Sequence, residues 1–333
     1  MAWLEFLALA LVIAAGGYWL SRFGDVIAER TGLSGSWIGL ILLSTVTSLP
    51  ELVTGVSAVT VAHAPNLAVG DVLGSCVYNL LILAAVDLLH RGSPMFSSAS
   101  LGHVLSANFG AVLLGLVGLN LLLAGHADGL SIGRVGVITP VIVGVYLLAL
   151  RMVFTYERRQ MMQPAEPSAD RYPGITLRKA VIGYAVSAAA VFGAGLFLPV
   201  AAVELARAMG WTNTFVGTLL VSAATSMPEL VVTVGAARIG ALDMAMANLL
   251  GSNLFNMVVL AVDDLAFAGG PLLAHASPAH AATAFSALVM NGVVSIALIA
   301  RVRSRPLRLV SWASLTLVAV YALNVWAVYL GHE

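Results

Sequence analysis

The sequence predicts an all-α polytopic membrane protein, with ten transmembrane helices in two inverted five-helix repeats and both termini outside the cytoplasm. Three observations support this fold class. The chain of 333 residues is 60% hydrophobic and 10% charged, with a mean hydropathy of +0.96. Its apolar runs suffice for about ten spans of ~20 residues each. A five-residue motif that contains a carboxylate and a proline occurs once in each half.

The predicted spans follow one another with short connections. A helix is the expected form of each span, because it satisfies its own backbone hydrogen bonds inside the bilayer. The apolar runs lie near residues 2–21, 36–61, 67–89, 101–124, 131–152, 180–200, 211–236, 243–266, 281–300 and 309–330. The polar stretch 154–179 is rich in charge and proline, so it predicts a cytoplasmic linker between a first repeat (1–153) and a second repeat (180–333).

The basic residues predict the orientation. If the N-terminus lies outside, all of the 16 Lys and Arg residues except Arg134 and Arg207 fall on the cytoplasmic side. This asymmetry is what the positive-inside rule predicts for an N-out, C-out protein with ten spans. We therefore expect a multi-pass protein of the cytoplasmic (inner) membrane, in contact with the lipid bilayer and without a nucleic-acid partner. The sequence does not identify protein partners.

The two halves repeat the same motifs in the same order, with a slip of one residue between the first motif and the second. Residues 47–51 (TSLPE) reappear as residues 225–229 (TSMPE), and residues 73–79 (LGSCVYN) reappear as residues 250–256 (LGSNLFN). An odd number of spans per repeat places the two copies in opposite membrane orientations. Paired segments of this kind, interrupted by proline, are the best sequence indication of a transporter's ion site near the midplane of the bilayer.

The repeated motifs supply oxygen ligands. In the first motif the two hydroxyls lie three and four residues before Glu51, on the same helical face. Pro50 and Pro228 free backbone carbonyls, because proline has no N–H. The following helix of each repeat carries a stripe of polar residues at four-residue intervals: Asp71, Ser75 and Asn79 in the first, Asn248, Ser252 and Asn256 in the second.

The oxygen ligands of the motifs indicate which cations the site can bind. Hard oxygen ligands suit Ca²⁺, which takes 6–8 oxygens, and also Na⁺ of similar size. They argue against zinc and copper, which favour nitrogen and sulfur. The charge of Glu51 and Glu229 would balance one Ca²⁺ or two Na⁺, so the two ions could compete for shared ligands. We expect Gly74 and Gly251 to permit close helix approach.

Four other acidic residues have less certain roles. Asp71 could be a ligand, a proton carrier or a residue near the membrane surface. Asp87, Asp263 and Asp264 lie at helix ends, where we expect them to be solvated.

The paired motifs resemble the α-repeats of the cation/Ca²⁺ exchanger superfamily, closely over residues 32–89 and 210–266. The resemblance implies ten helices in two inverted repeats, with Glu51 and Glu229 binding Ca²⁺ and helping to bind Na⁺. It implies that the other ligands are Thr47, Ser48, Thr225, Ser226, Ser75, Ser252, Asn79 and Asn256, with carbonyls near Ser44 and Ser222. The chain departs from the family pattern where Val46 and Ala224 replace glycine and Cys76 replaces asparagine.

These observations favour a secondary antiporter that expels Ca²⁺ against Na⁺ influx by alternating access and needs no cofactor beyond the transported ions. An alternative keeps the same machinery with H⁺ as the coupling ion. A more remote alternative is an intramembrane enzyme that uses the paired carboxylates to hold a catalytic metal, although we expect no enzymatic activity. The stoichiometry and the selectivity among divalent cations stay open.

Overall fold

The computed structural model describes residues 2–31, 44–89, 95–123, 131–160, 174–238, 240–301 and 311–331. Its helices are α1 (Ala2–Arg30), α2 (Leu49–Thr60), α3 (Pro65–Leu89), α4 (Met95–Ser98), α5 (Gly102–Leu123), α6 (Ile138–Gln160), α7 (Leu177–Met209), α8 (Asn213–Val216), α9 (Ser222–Thr225), α10 (Met227–Arg238), α11 (Leu242–Ala266), α12 (His280–Ile299) and α13 (Trp312–Leu330). A π-helical turn, Gly217–Val221, joins α8 to α9, and a 3₁₀ turn, Leu272–Ala274, follows α11. Strands β1 (Ser131–Ile132) and β2 (Val135–Gly136) form a small antiparallel hairpin.

The described helices have the lengths that a bilayer requires. Eight of them are long and apolar enough to cross a membrane, and the segments Asn213–Thr225 and Met227–Arg238, bent by 46° relative to each other, can form a ninth span. The second predicted span, 36–61, is described only from residue 44. The described chain is therefore an all-α polytopic membrane protein, as the composition predicts.

Some predicted boundaries differ from those of the structure. Helix α6 begins at Ile138 rather than near residue 131, because Gly133 adopts a left-handed φ of 67° in the β1–β2 hairpin. Helix α6 then runs to Gln160, and α7 begins at Leu177, where Thr176 caps it. Both helices therefore extend into the predicted linker 154–179, whose residues 161–173 lie outside the described ranges.

Two helices form the centre of the molecule. In α3 and α11, 83% and 72% of the apolar span is buried within the protein, compared with 28% in α1 and 17% in α6. The outer helices expose large apolar side chains, including Leu4, Leu11, Phe197 and Trp326. In a bilayer this surface contacts lipid, so the protein's own core is built around α3 and α11.

The packing has approximate twofold symmetry. Helix α7 packs on α2 and α1 packs on α10, while α6 packs on α11 and α13 packs on α3. The two long helices α1 and α7 run antiparallel, since Gly16 lies against Val191 and Gly183 lies against Phe23. These helices occupy equivalent places in the two halves of the sequence, and an antiparallel pair is what inverted repeats require.

Asp87 and Asp264 stabilise the ends of the central helices, so the prediction that they are solvated is wrong. Each is at most 4% exposed. Each accepts a hydrogen bond from the backbone N–H eight residues further along, at 3.0 Å for Asp87 and 2.6 Å for Asp264. Each also accepts one from a hydroxyl near the start of an outer helix, Ser314 of α13 or Thr139 of α6. The sequence suggested solvation because a helix end lies near the membrane surface, but here these described hydrogen-bond partners take the place of water.

Candidate cation-binding site

Each proline motif interrupts a helix at its serine. Ser48 has φ −90° and ψ 12°, and Ser226 has φ −82° and ψ 8°, a sparsely populated backbone region that is common at functional sites. Pro50 and Pro228 follow two residues later and cannot donate to the carbonyls four residues before them. The π-helical turn Gly217–Val221 adds a second irregularity just before the second motif. The result is two broken helices with free backbone oxygens at the same depth as the carboxylates.

The two motifs bond to each other across the twofold axis. The hydroxyl of Ser48 donates to Oε1 of Glu229 at 3.0 Å, and the hydroxyl of Ser226 donates to Oε1 of Glu51 at 3.3 Å. All four side chains are 0% exposed. Each glutamate is thus oriented by the opposite repeat, and the two carboxylates belong to one cluster.

The serines of α3 and α11 extend this cluster. Thr47 and Ser252 place their hydroxyl oxygens 3.2 Å apart, and Ser75 and Thr225 place theirs 3.5 Å apart. Ser252 also donates to Oε1 of Glu229 at 3.2 Å. Every one of these contacts joins a residue of a broken helix to a residue of a central helix.

The predicted backbone ligands lie beside these hydroxyls. The carbonyl of Ser44 accepts a hydrogen bond from Thr47 at 3.0 Å, and its oxygen lies 3.4 Å from the hydroxyl oxygen of Ser252. The carbonyl oxygen of Ser222 lies 3.3 Å from the hydroxyl oxygen of Thr225. Ser44 and Ser222 are therefore brought into the cluster.

Asp71 and Asn248 occupy equivalent places in the two repeats. Thr225 donates to Oδ1 of Asp71 at 2.8 Å, and the hydroxyl oxygen of Thr47 lies 3.5 Å from Oδ1 of Asn248. Asp71 is 0% exposed and interacts electrostatically with Glu51. Asp71 therefore belongs to the same buried cluster as the two glutamates.

The two asparagines are held by their amide nitrogens. Nδ2 of Asn79 donates to Oδ1 of Asn253 at 3.0 Å, and Nδ2 of Asn256 lies 3.9 Å from Sγ of Cys76. Cys76 and Asn253 are equivalent positions in the two repeats, so each repeat holds the other's asparagine. This arrangement leaves both asparagine oxygens available.

The site contains buried oxygen atoms that have no hydrogen-bond partner among the described residues. They are Oε2 of Glu51, Oε2 of Glu229, Oδ2 of Asp71, Oδ1 of Asn79 and Oδ1 of Asn256. A buried polar atom without a partner costs about 1–3 kcal/mol. A hard cation removes this cost by accepting the oxygens as ligands, and five such oxygens approach the 6–8 that Ca²⁺ takes.

The carboxylates alone do not form a metal centre. Among the described residues, no group of three or more His, Cys, Asp or Glu is placed to hold a metal ion. A cation at this site would therefore depend on neutral hydroxyl, amide and carbonyl oxygens as well as on carboxylates. Such mixed oxygen sites are typical of Ca²⁺ and unlike zinc or copper centres.

Comparison with known proteins identifies the family. The model of the family described as "Sodium/calcium exchanger protein" matches residues 1–156 and 179–330. The chain belongs to this family. The exchanger is 25% identical over 284 residues to the sodium/calcium exchanger MaX1 of Methanosarcina acetivorans, with 76% of this chain and 79% of that protein covered.

Solved structures show the same fold. The exchanger matches the H⁺/Ca²⁺ exchanger CAX with a TM-score of 0.72 and 13% identity, over 99% of this chain and 84% of that one. It matches the sodium-calcium exchanger NCX_Mj with a TM-score of 0.62 and 18% identity, over 98% of this chain and 99% of that one. At these identities the likeness concerns the fold alone.

Family membership decides two of the earlier expectations. The resemblance to cation/Ca²⁺ exchangers is confirmed, and the chain is a membrane-embedded Ca²⁺ antiporter rather than an enzyme. The alternative of an intramembrane metal-dependent enzyme is therefore excluded.

Sequence reasoning missed two polar residues of the exchanger's site. Asn253 donates to the carbonyl of Cys76 at 3.2 Å, and Thr233 accepts a hydrogen bond from Nδ2 of Asn248 at 3.2 Å. Both are at most 2% exposed. Thr233 lies four residues after Glu229 on the same helical face, and this spacing is a signal that could have identified it.

Proposed function

We propose that the exchanger expels Ca²⁺ across the cytoplasmic membrane in exchange for Na⁺ that enters. The observation that carries this proposal is the set of five buried oxygens that have no partner within the described part of the chain; they come from both repeats and include three carboxylate oxygens. The same ligands suit Ca²⁺ and Na⁺, so the two ions would occupy the site in turn. This shared occupancy couples the movement of one ion to that of the other.

The charge of the site supports Na⁺ coupling. Glu51 and Glu229 balance one Ca²⁺ or two Na⁺, and Asp71 adds a third carboxylate to the same cluster. A third Na⁺ could therefore be accommodated for each Ca²⁺, with a net positive charge entering per cycle. Each charge that enters gains about 2.3 kcal/mol per 100 mV of membrane potential, which would drive Ca²⁺ out.

The arrangement of helices supports alternating access. Helices α1 and α7 pack along each other and contact the broken helices through α10 and α2. We propose that this pair slides past the remaining helices and exposes the site to one face at a time. The proposal includes ten spans, N-out and C-out orientation, and two inverted repeats of residues 1–153 and 180–333 joined by the linker 154–179.

Coupling to H⁺ is the second candidate. Asp71 supports it, because one of its oxygens accepts a hydrogen bond from Thr225 and the other has no partner in the described ranges, so the side chain could carry a proton instead of contacting a cation. In that case protons would replace Na⁺ on the same carboxylates.

The test is ⁴⁵Ca²⁺ uptake into proteoliposomes loaded with Na⁺ at fixed pH. We expect uptake that requires internal Na⁺ and that falls more than about 100-fold in Glu51→Gln and in Glu229→Gln, because removing one partner of a buried pair of opposite charges, here the carboxylate that would face the cation, costs ~3–5 kcal/mol. The matched control is Glu204→Gln, which makes the same change at an exposed glutamate of α7 and should leave uptake unchanged. Uptake driven only by a pH gradient would favour H⁺ coupling, and absence of uptake under either gradient would contradict the proposal.

A further inference from the structure

Asp263 is a buried carboxylate that neither the fold nor the central site uses. It is 0% exposed, so the prediction that it is solvated is also wrong, and neither of its oxygens has a hydrogen-bond partner among the described residues. Its neighbour Asp264 differs, since that carboxylate accepts hydrogen bonds from two backbone N–H groups and from Thr139. The structural role at the end of α11 is therefore filled by Asp264, and Asp263 lacks such a role.

The first repeat shows that a carboxylate is not needed at this position for folding. Asp87 is the equivalent of Asp264, so the equivalent of Asp263 is Val86, which is 1% exposed. An apolar side chain thus fills the same place on α3. A carboxylate without partners inside a membrane protein is costly and marks a functional position by default.

The position of Asp263 connects it to the central site. It lies seven residues after Asn256 on α11, which is two helical turns further along the same face, or ~10.5 Å. Its carboxylate lies against Gly55, where an added Cβ would be only 2.7 Å from Oδ1. Gly55 is one turn beyond Glu51 on α2, so Asp263 lies about one helical turn from a central carboxylate.

Asp71 faces the same region from the third helix. It precedes Ser75 by one turn on α3. Its carboxylate is near enough to that of Asp263 for the two negative charges to repel each other. Its Oδ2 atom also has no hydrogen-bond partner among the residues that the structure describes. Since the end of α2 continues directly into the start of α3, the ends of α2 and α11 and the start of α3 lie toward the same membrane face.

We infer that Asp263 is a cation-binding residue on the route between the central site and that membrane face, with Asp71 as its neighbour toward the centre. The ligand class is a hard cation, Ca²⁺ or Na⁺, because the oxygens available are carboxylate oxygens. This inference rests on the proposed exchange function. Gly55 contributes by leaving room for the carboxylate, whereas the equivalent position in the second repeat holds Thr233.

The test uses the full-length exchanger in proteoliposomes with ⁴⁵Ca²⁺ supplied from either face. Two variants remove the charge: Asp263→Asn keeps the shape, and Asp263→Val reproduces the side chain of the first repeat. We expect the half-saturating Ca²⁺ concentration to rise about tenfold at the face where α2 and α11 end, as the loss of one charged ligand predicts, and to change little at the other face. Asp264→Asn is the matched control and should lower the melting temperature without a difference between the two faces.

Each outcome decides one of the two proposals. Wild-type protein without ⁴⁵Ca²⁺ uptake would overturn the exchange function itself. Active wild-type protein with unchanged half-saturation in both Asp263 variants would overturn only the role of Asp263. An equal loss at both faces together with a lowered melting temperature would also overturn it, because that result indicates a packing role.

Equilibrium ⁴⁵Ca²⁺ binding to the Glu51→Gln, Glu229→Gln double variant gives a readout without transport, and we expect residual binding that Asp263→Asn removes.

Discussion

Asp71 introduces the main asymmetry of charge into an otherwise symmetric site. Its Oδ1 atom and that of Asn248 each lie beside the threonine hydroxyl of the opposite repeat, at 2.8 Å and 3.5 Å. The shorter contact belongs to the carboxylate, as expected for a charge-assisted hydrogen bond. Because the two positions are otherwise equivalent, exchanging Asp and Asn between them changes the charge while keeping the size of each side chain.

We predict that Asp71→Asn weakens Ca²⁺ binding and lowers the number of coupled Na⁺ ions. Losing a contact to a charged group costs ~1.5–3 kcal/mol, which corresponds to roughly a ten- to hundredfold rise in the half-saturating Ca²⁺ concentration. The Hill coefficient for Na⁺ should also decrease. Both quantities are obtained from ⁴⁵Ca²⁺ uptake at varied internal Na⁺.

Asn248→Asp is the matched substitution for this prediction. It adds a carboxylate beside Thr47, so Ca²⁺ should bind more tightly. An Asp71→Asn protein with wild-type Ca²⁺ affinity and Na⁺ cooperativity would show that Asp71 does not contact the transported ions.

At the scale of elements, two glycines determine how closely the central helices approach the broken ones. A Cβ added to Gly74 would lie 2.8 Å from the Ser222 hydroxyl oxygen, and one added to Gly251 would lie 2.9 Å from that of Ser44. The two contacts are equivalent in the two repeats, and in each of them a central helix lies directly against the segment that precedes a proline motif. The expectation that these glycines permit close approach is confirmed.

We predict that Gly251→Ala separates α11 from the first broken helix. Overpacking of this kind costs ~1–3 kcal/mol, and it should lower both the melting temperature and the transport rate. Gly292→Ala in α12 is the control, since nothing lies within 4 Å of its added Cβ. Equal behaviour of the two variants in thermal unfolding and ⁴⁵Ca²⁺ uptake would contradict the importance of this contact.

The sequence predicts most of the central elements but not their pairing. The duplicated proline motifs and the four-residue polar stripes predict which helices line the site, because spacing alone determines which side chains share a helical face. The bonds of Ser48 to Glu229 and of Ser226 to Glu51 join residues from different repeats, so they follow only from the tertiary arrangement. The same holds for the hydrogen bonds of Asp87 and Asp264. Their partners lie outside the two central helices, and the spacing of residues along a helix does not show which other segments pack against it.

At the scale of the whole molecule, the antiparallel pair α1 and α7 relates the two halves. Helix α7 has 33 residues and is therefore ~50 Å long, enough to cross the bilayer from one side to the other. Arg178 lies at its start and Arg207 near its end, so these two side chains belong on opposite faces. Because α1 runs in the reverse direction, Arg30 at its end lies on the same side as Arg178.

The last prediction concerns the orientation in the membrane. Single cysteines would be introduced as Arg30→Cys, Arg178→Cys and Arg207→Cys in a Cys76→Ser background. For an N-out protein, a membrane-impermeant maleimide should label only the Arg207→Cys protein in intact cells or right-side-out vesicles, and all three after permeabilisation. The reverse pattern would place the N-terminus in the cytoplasm, and labelling of Arg30→Cys without Arg178→Cys would contradict the inverted arrangement. The expected pattern would place the end of α11, and with it Asp263, toward the outside, where the exchanger would release Ca²⁺ and take up Na⁺.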